Sequence, residues 1–375
     1  MSLIIRPIEA KSDVVKFVKC QWDFYKDDPN WVPPMKMDRM NLLNTKTNPF
    51  YQHSLMQLFL AEDNGEIVGR IAAIINDNHN KTHNDKVGFF GFFECVNDQN
   101  VADLLFNTAN DWLKSRGMDT SRGPVNPSLN DETGLLIEGY NMPAVTLMTY
   151  NPEYYAELIE NAGFAKAKDL YAYLLEMHSF LTDKMRRMQS IIRKRYQIKI
   201  RKMNFKNKAK FKEDVKIMKE LYNKAWEDNW GFVKMTDAEF EHLAKDMKMV
   251  ADPNFTLIVE IKGKPAGFVL GLPDINQCFI KNRSGSTLGG IWHLMTKKKK
   301  IDTLRIIVLG VLPEYRSTGA DAALYYEFFE RGSKRGIKFG EASWILEDNL
   351  MMNRALTVTM NGKKYKTYRL YDKAI

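Results

Sequence analysis

Cysteine is scarce in this chain, and the three that occur, Cys20, Cys95 and Cys278, stand far apart with no C-x-x-C pair. So isolated and odd-numbered a set indicates neither a disulfide framework nor a zinc site. Long apolar runs are missing too. No stretch approaches the ~20 uninterrupted apolar residues that span a bilayer, and the opening Met-Ser-Leu-Ile-Ile-Arg-Pro is too short an apolar run for a signal peptide. We therefore expect no membrane segment and a cytoplasmic location. The sequence also has no nucleophile elbow, no P-loop and no Rossmann glycine fingerprint. His79 and His83 have the i, i+4 spacing of a metal pair, but they fall in Asn-Asp-Asn-His-Asn-Lys-Thr-His-Asn, which reads as a polar loop without a third ligand. No metal is expected there.

What is present points first to two domains. The chain has 375 residues and is 45% hydrophobic, and single cores stop growing at ~250 residues. Its net charge of +9 arises from 55 Lys and Arg against 46 Asp and Glu. Such an excess suits anionic ligands such as nucleotides, with nucleic acid the lesser reading. Lys297–Lys300 is the longest unbroken basic run and reads as a solvated loop.

The order of elements repeats. A short strand, Leu3–Ile8, leads into helices and then a hairpin, Met56–Glu62 and Ile67–Ile75, turned at Asp63-Asn64-Gly65. In the second half Ile198–Met203 leads into helices at Lys210–Trp226 and Asp237–Lys248, then a hairpin, Thr256–Ile261 and Ala266–Leu272. An apolar strand follows each hairpin, Val87–Val96 or Leu304–Leu312. Next comes a helix ending in Lys114-Ser-Arg-Gly117 or Ser333-Lys-Arg-Gly336. One face of the first helix carries Val101, Leu104, Leu105, Ala109, Trp112 and Leu113, the pattern of core packing. Each half is expected to close on its own last strand, Ala167–Glu176 or Lys364–Tyr371. The predicted division is 1–177, a linker helix over 178–197, and 198–375. Pro273–Lys300 has no counterpart in the first half and is read as a flap on the substrate side.

The chemistry-bearing phrase is Leu309-Gly-Val-Leu-Pro-Glu-Tyr-Arg-Ser-Thr-Gly-Ala-Asp321. A strand-to-helix turn rich in small residues leaves backbone N–H groups at the positive end of a helix dipole, a seat for pyrophosphate. Gly319 permits close approach, Arg316 adds a charge-assisted contact, and Ser317 and Thr318 offer hydroxyls. A plain capping turn reads the same way.

The strand, this turn and the following Glu341-Ala-Ser-Trp-Ile-Leu-Glu-Asp-Asn349 with Asn353 resemble the GNAT superfamily of N-acetyltransferases. That resemblance implies an α/β fold with a mixed sheet, here as two tandem GNAT-like domains, each a mostly antiparallel sheet flanked by helices. It implies that Arg316, Ser317, Thr318, Gly319, Ala320 and Asp321 hold the CoA pyrophosphate, with Asp321 departing from the usual Gly or Ala. Leu309, Gly310 and Val311 would pair with the pantetheine arm, and Asn349 and Asn353 would contact CoA or cap the next helix. The expected activity is transfer of an acetyl group from acetyl-CoA, or another acyl group from its CoA ester, to an unidentified amine by direct attack on the thioester. A non-catalytic acyl-CoA or nucleotide-binding module is the alternative. The family's usual tyrosine is missing, Val358 and Thr359 standing in its region, so the catalytic candidates are Glu347, Glu341 and Tyr368. A tandem chain can supply its own interface, so monomer or homodimer is expected.

The first half is read as a degenerate copy. Aligning Gly117 with Gly336 sets Asn97, Asp98, Gln99 and Asn100 opposite Arg316–Gly319, and a carboxylate there disfavours phosphate. Candidate acceptor-binding residues are Asn126, Asn130 and Glu132 in Gly123–Gly134, where turn chemistry is the other reading. Glu94 joins them as the only acid in its apolar strand, either a site residue or a buried, partnered carboxylate. A cleft between the halves, lined by that loop and Pro273–Lys300, is the expected acceptor site.

Overall fold

The computed structural model describes residues 3–375. In chain order the elements are β1 (Ile4–Pro7), α1 (Lys11–Lys19), α2 (Gln21–Phe24), α3 (Lys36–Leu42), β2 (Ser54–Asp63), β3 (Glu66–Asn76), α4 (Asp77–His83), β4 (Val87–Cys95), α5 (Gln99–Lys114), β5 (Thr120–Gly123), β6 (Val125–Asn126), β7 (Glu132–Thr133), β8 (Leu135–Glu138), α6 (Tyr155–Asn161) and β9 (Ala165–Glu176). They continue with α7 (Asp183–Tyr196), β10 (Ile198–Lys202), α8 (Lys208–Ala225), α9 (Asp237–Val250), β11 (Thr256–Ile261), β12 (Lys264–Pro273), α10 (Asn276–Phe279), α11 (Thr287–Lys297), β13 (Thr303–Val311), α12 (Ala320–Lys334), β14 (Phe339–Leu346), α13 (Leu350–Arg354) and β15 (Lys363–Ala374).

These elements form two compact units. The first comprises the chain up to Leu170 together with Asn276–Lys298 and Lys366–Ile375, and the second comprises Tyr171–Ile275 and Lys299–Tyr365. Within the first, β1, β2, β3 and β4 run antiparallel, β4 pairs with β5 in parallel, and β5 pairs antiparallel with the end of β15. Within the second, β10, β11, β12 and β13 are antiparallel, β13 pairs with β14 in parallel, and the Tyr171–Glu176 part of β9 lies beside β14. The same pairing scheme thus occurs twice, as the element order predicts.

Three expectations are corrected. The closing strands are exchanged: the end of β15 completes the first unit's sheet, and the end of β9 completes the second's. An isolated apolar strand does not encode which sheet edge it joins, because that choice is made by long-range pairing. The insertion after β12 belongs to the first unit, where it forms α10 and α11. The His79–His83 stretch is helix α4, not loop; Asn76 caps it by accepting hydrogen bonds from the Asn78 and His79 backbone.

Packing follows the amphipathic pattern. In α5, Val101, Leu105, Phe106, Ala109 and Leu113 are buried against Phe90, Phe93 and Ile71 of the sheet, whereas Leu104 is exposed. In the second unit α12 buries Ala323, Leu324, Phe328 and Phe329 on Leu257, Val259 and Leu304. Each such large side chain removed from water contributes roughly 1.5–3 kcal/mol. Helix α7 packs on α12 through Ile192 and the Arg193–Glu327 ion pair at 2.9 Å, leaving Ile191 exposed.

Candidate functional site

In both units the parallel pair of strands separates part-way along. In the first, β4 and β5 pair only over Val87–Phe89. Beyond that point β4 bulges: Phe92 has φ +51° and the register with β3 shifts between Arg70 and Ala72. Gly91 is required here, since a Cβ would fall 1.7 Å from the Val125 carbonyl oxygen. The freed Phe92 N–H donates to Asn126 Oδ1 at 2.6 Å, which ties the loop after β5 to the bulge.

A cavity of about 100 Å³ opens in this separation, and Glu94, Asn126 and Glu132 line it together. Glu94 is 4% exposed. Its Oε1 accepts from Gln21 Nε2 at 2.7 Å and from the Arg70 guanidinium at 3.3 Å; its Oε2 accepts from the hydroxyls of Tyr25 and Tyr155, both at 2.8 Å. Burial raises the Glu94 pKa against the opposing pull of Arg70 and these donors. It also lifts both tyrosines well above their ordinary value, with the Glu94 charge adding to the effect. Tyr25 has a second acceptor, the Tyr150 carbonyl at 3.3 Å, so it can release Glu94 without being left unbonded. Glu132 accepts from Arg39 at 2.6 Å and from Asn126 Nδ2 at 3.4 Å. Asn276, at the start of α10, also lines the cavity. Hence the Asn126–Glu132 loop and the insertion do share one cavity, and it lies within the first unit. Asn130 does not line it; its backbone N–H donates to Ser128 Oγ at 3.2 Å within the loop.

In the second unit β13 and β14 pair over Thr303–Ile306 only, so Leu309, Gly310 and Val311 lie beyond the paired region. Gly319 adopts φ +74° at the N-terminus of α12, which no side chain among the described residues caps, whereas Asp98 caps the equivalent end of α5. Arg316, Ser317 and Asp321 are exposed at this turn, and Ala320 is buried behind it. The Thr318 hydroxyl donates to the Tyr315 carbonyl at 2.6 Å, and Arg316 donates to the Val311 and Ala225 carbonyls at 3.4 and 3.2 Å. Two side chains pack against the glycines of this region: a Cβ on Gly310 would meet Trp226 at 2.2 Å, and one on Gly319 would meet Ile192 at 3.2 Å. Asn349 caps α13 by accepting from Met352 N at 3.2 Å. Asn353 donates to the Leu346 and Glu347 carbonyls at 3.0 and 3.2 Å and accepts from the Tyr173 hydroxyl at 2.9 Å.

Comparison with known proteins matches this two-fold plan. No family model matches the sequence. Over 387 residues, covering 100% of this chain and 98% of the relative, it is 33% identical to the bacterial ceramide synthase of Caulobacter vibrioides. It is equally 33% identical to Protein YghO of Escherichia coli, over 99% of this chain and 95% of that one. The chain belongs to their family, and its fold is that of a tandem GNAT protein. Among solved structures, a tandem GNAT protein from the clavulanic acid biosynthesis pathway superposes over 100% of this chain and 98% of its own, with a TM-score of 0.59 at 11% identity. A GCN5-related N-acetyltransferase from Sphaerobacter thermophilus does so over 99% and 95%, with a TM-score of 0.52 at 13% identity.

The catalytic candidates are distributed between the units. Tyr368 is fully buried in the first, opposite Leu136 of β8. Glu341 and Glu347 are in the second, Glu347 half-buried and Glu341 entirely buried on β14. Burial pushes the Glu341 carboxyl up to about 7, although Arg305 lies 3.7 Å away and Ser343 donates at 3.0 Å.

Sequence reasoning missed Gln21, Tyr25, Arg70, Tyr155 and Arg39. Only Arg70 left a readable trace. It is the lone charge inside the apolar run Ile67–Ile75, and β3 sets it directly across from Glu94. Gln21 and Tyr25 come from α2 and its end, Arg39 from α3 and Tyr155 from α6, and nothing in the sequence ties those three segments to Glu94.

Proposed function

We propose that this protein is an N-acyltransferase that joins the acyl group of an acyl-CoA to the amino group of a long-chain amino diol. The observation that carries the reading is the buried Glu94 of the β4 bulge, facing a cavity and held by two tyrosine hydroxyls. A carboxylate in that setting can orient an ammonium head and take its proton. The acceptor class follows from the relative named a ceramide synthase, because a ceramide is the amide of such an amino diol. In the reaction the amine nitrogen attacks the thioester carbonyl, the C–N bond forms, the C–S bond breaks, and the thiolate leaves with a proton as free CoA. The β13–α12 turn is the proposed CoA seat, with Arg316 and the uncapped N–H groups near Gly319 receiving the pyrophosphate. Asn349 and Asn353 serve this seat indirectly, by fixing α13.

Incubation with sphinganine and CoA esters graded from acetyl to palmitoyl, read by mass spectrometry of the amide and by thiol release, tests the proposal. Amide formation with long acyl donors is expected. Acyl-CoA binding without thiol release from any donor would leave the non-catalytic module in its place. Arg316→Ala should weaken acyl-CoA binding about tenfold in calorimetric titration, the loss of one charge-assisted contact. Unchanged affinity would move the CoA seat elsewhere.

A further inference from the structure

Helix α11 wears its amphipathicity inside out. Leu288, Ile291, Trp292 and Met295 follow the i, i+3, i+4, i+7 spacing of a single helical face. They are 82%, 49%, 66% and 74% exposed. The opposite side is glycine: Gly290 is buried with Met35 Sδ 3.0 Å from where a Cβ would be, and Gly289 sits similarly close to Asn282. A helix that only completed a core would turn its large apolar residues inward.

The turn that leads into the helix is firmly seated. The Lys36 N–H donates to the Gly285 carbonyl at 3.0 Å, Trp22 Nε1 to the Arg283 carbonyl at 2.8 Å, and the Arg283 guanidinium to the Trp31 carbonyl at 2.8 Å. Trp31 lines the cavity that holds Glu94. The start of the helix is thus tied to a residue of the cavity wall.

Charge selects its occupant. Between Ile275 and Ile301 the sequence has six Lys or Arg and no Asp or Glu. Lys298, Lys299 and Lys300 are exposed directly after the helix, and among the described residues no carboxylate pairs with them. Apolar side chains with a central tryptophan, flanked by lysines, match a helix lying in the headgroup boundary of an anionic bilayer. An acidic protein surface would satisfy the lysines but not four large apolar side chains. Among the described residues no helix is long and apolar enough to cross a membrane, so this contact would be peripheral.

We infer that α11 with Lys298–Lys300 docks the protein on anionic lipid surfaces and sets the Glu94 cavity beside the bilayer. The inference stands on the helix and not on the reading of the activity. The test is co-sedimentation of the full chain with vesicles of phosphatidylglycerol and phosphatidylcholine in equal parts, against phosphatidylcholine alone. Stronger retention by the anionic vesicles is expected. Leu288→Ser with Trp292→Ser should weaken it about tenfold, as should Lys298→Glu with Lys300→Glu. All four positions are exposed, so the folded state should persist, as circular dichroism would verify. Wild type left in the supernatant, or variants retained as well as wild type, would overturn the inference. So would a dimer, seen by light scattering, that the Leu288 and Trp292 changes dissolve with no vesicle binding, for then the face meets a second copy.

Discussion

Glu94→Gln is expected to reduce amide formation about a thousandfold, within the range by which general acid–base groups act. It should also cost about 3 kcal/mol of stability, because it leaves the Arg70 guanidinium buried without a counter-charge. The two effects separate in the double variant Glu94→Gln with Arg70→Met. Removing both charges restores most of the stability, since the cost lies in the unpaired ion and not in the missing attraction. It returns no acceptor for the amine proton. Denaturant unfolding and the product assay on all three proteins decide the matter. If activity returns with stability, Glu94 is a structural carboxylate and the amine is deprotonated elsewhere.

The second large effect concerns pH. Glu341 is entirely buried, with its carboxyl raised from 4.5 to about 7. A raised folded value means that, between these limits, the native protein keeps a proton the unfolded chain has released. This contribution is full below about 4.5, falls as pH rises, and is gone above about 7. Keeping that proton is worth about 1.4 kcal/mol for each pH unit of the interval, so the whole change is about 3 kcal/mol. Relative to Glu341→Gln, which has no proton to lose there, the wild type should lose that much stability between mildly acidic and neutral pH. Unfolding midpoints of the pair across this window provide the measurement, and parallel curves would mean that Arg305 compensates the charge fully. Glu341 is also a candidate base. Its glutamine variant is expected to keep full amide formation, because Glu94 is the proposed base; loss of activity in that variant while it stays folded would give the role to Glu341.

Much of the architecture was legible because it is local. The turn at Asp63-Asn64-Gly65 lies between β2 and β3 as read, and the apolar stripe of α5 faces the core except for Leu104. The Arg316–Gly319 turn stands between β13 and α12, with Gly319 in the left-handed region its type allows. Glu94 stands out for a reason intrinsic to sequence: a carboxylate in an apolar strand must be partnered or functional. Its partners could not be named, because Gln21 and Tyr25 arrive from α2 and its end, Tyr155 from α6 and Arg70 from β3. Their convergence is a product of packing.

The amino-acid sequence by itself determined the repeated order of strands and helices, the strand-turn-helix phrase and the places where charge interrupts apolar runs, since backbone propensity and hydrophobic period act within a few residues of each other. Tertiary structure decided the exchange of β9 and β15, the assignment of α10 and α11 to the first unit, the assembly of the Glu94 cavity and the outward face of α11. Each of these depends on which surfaces meet across hundreds of residues, and only the folded chain sets that.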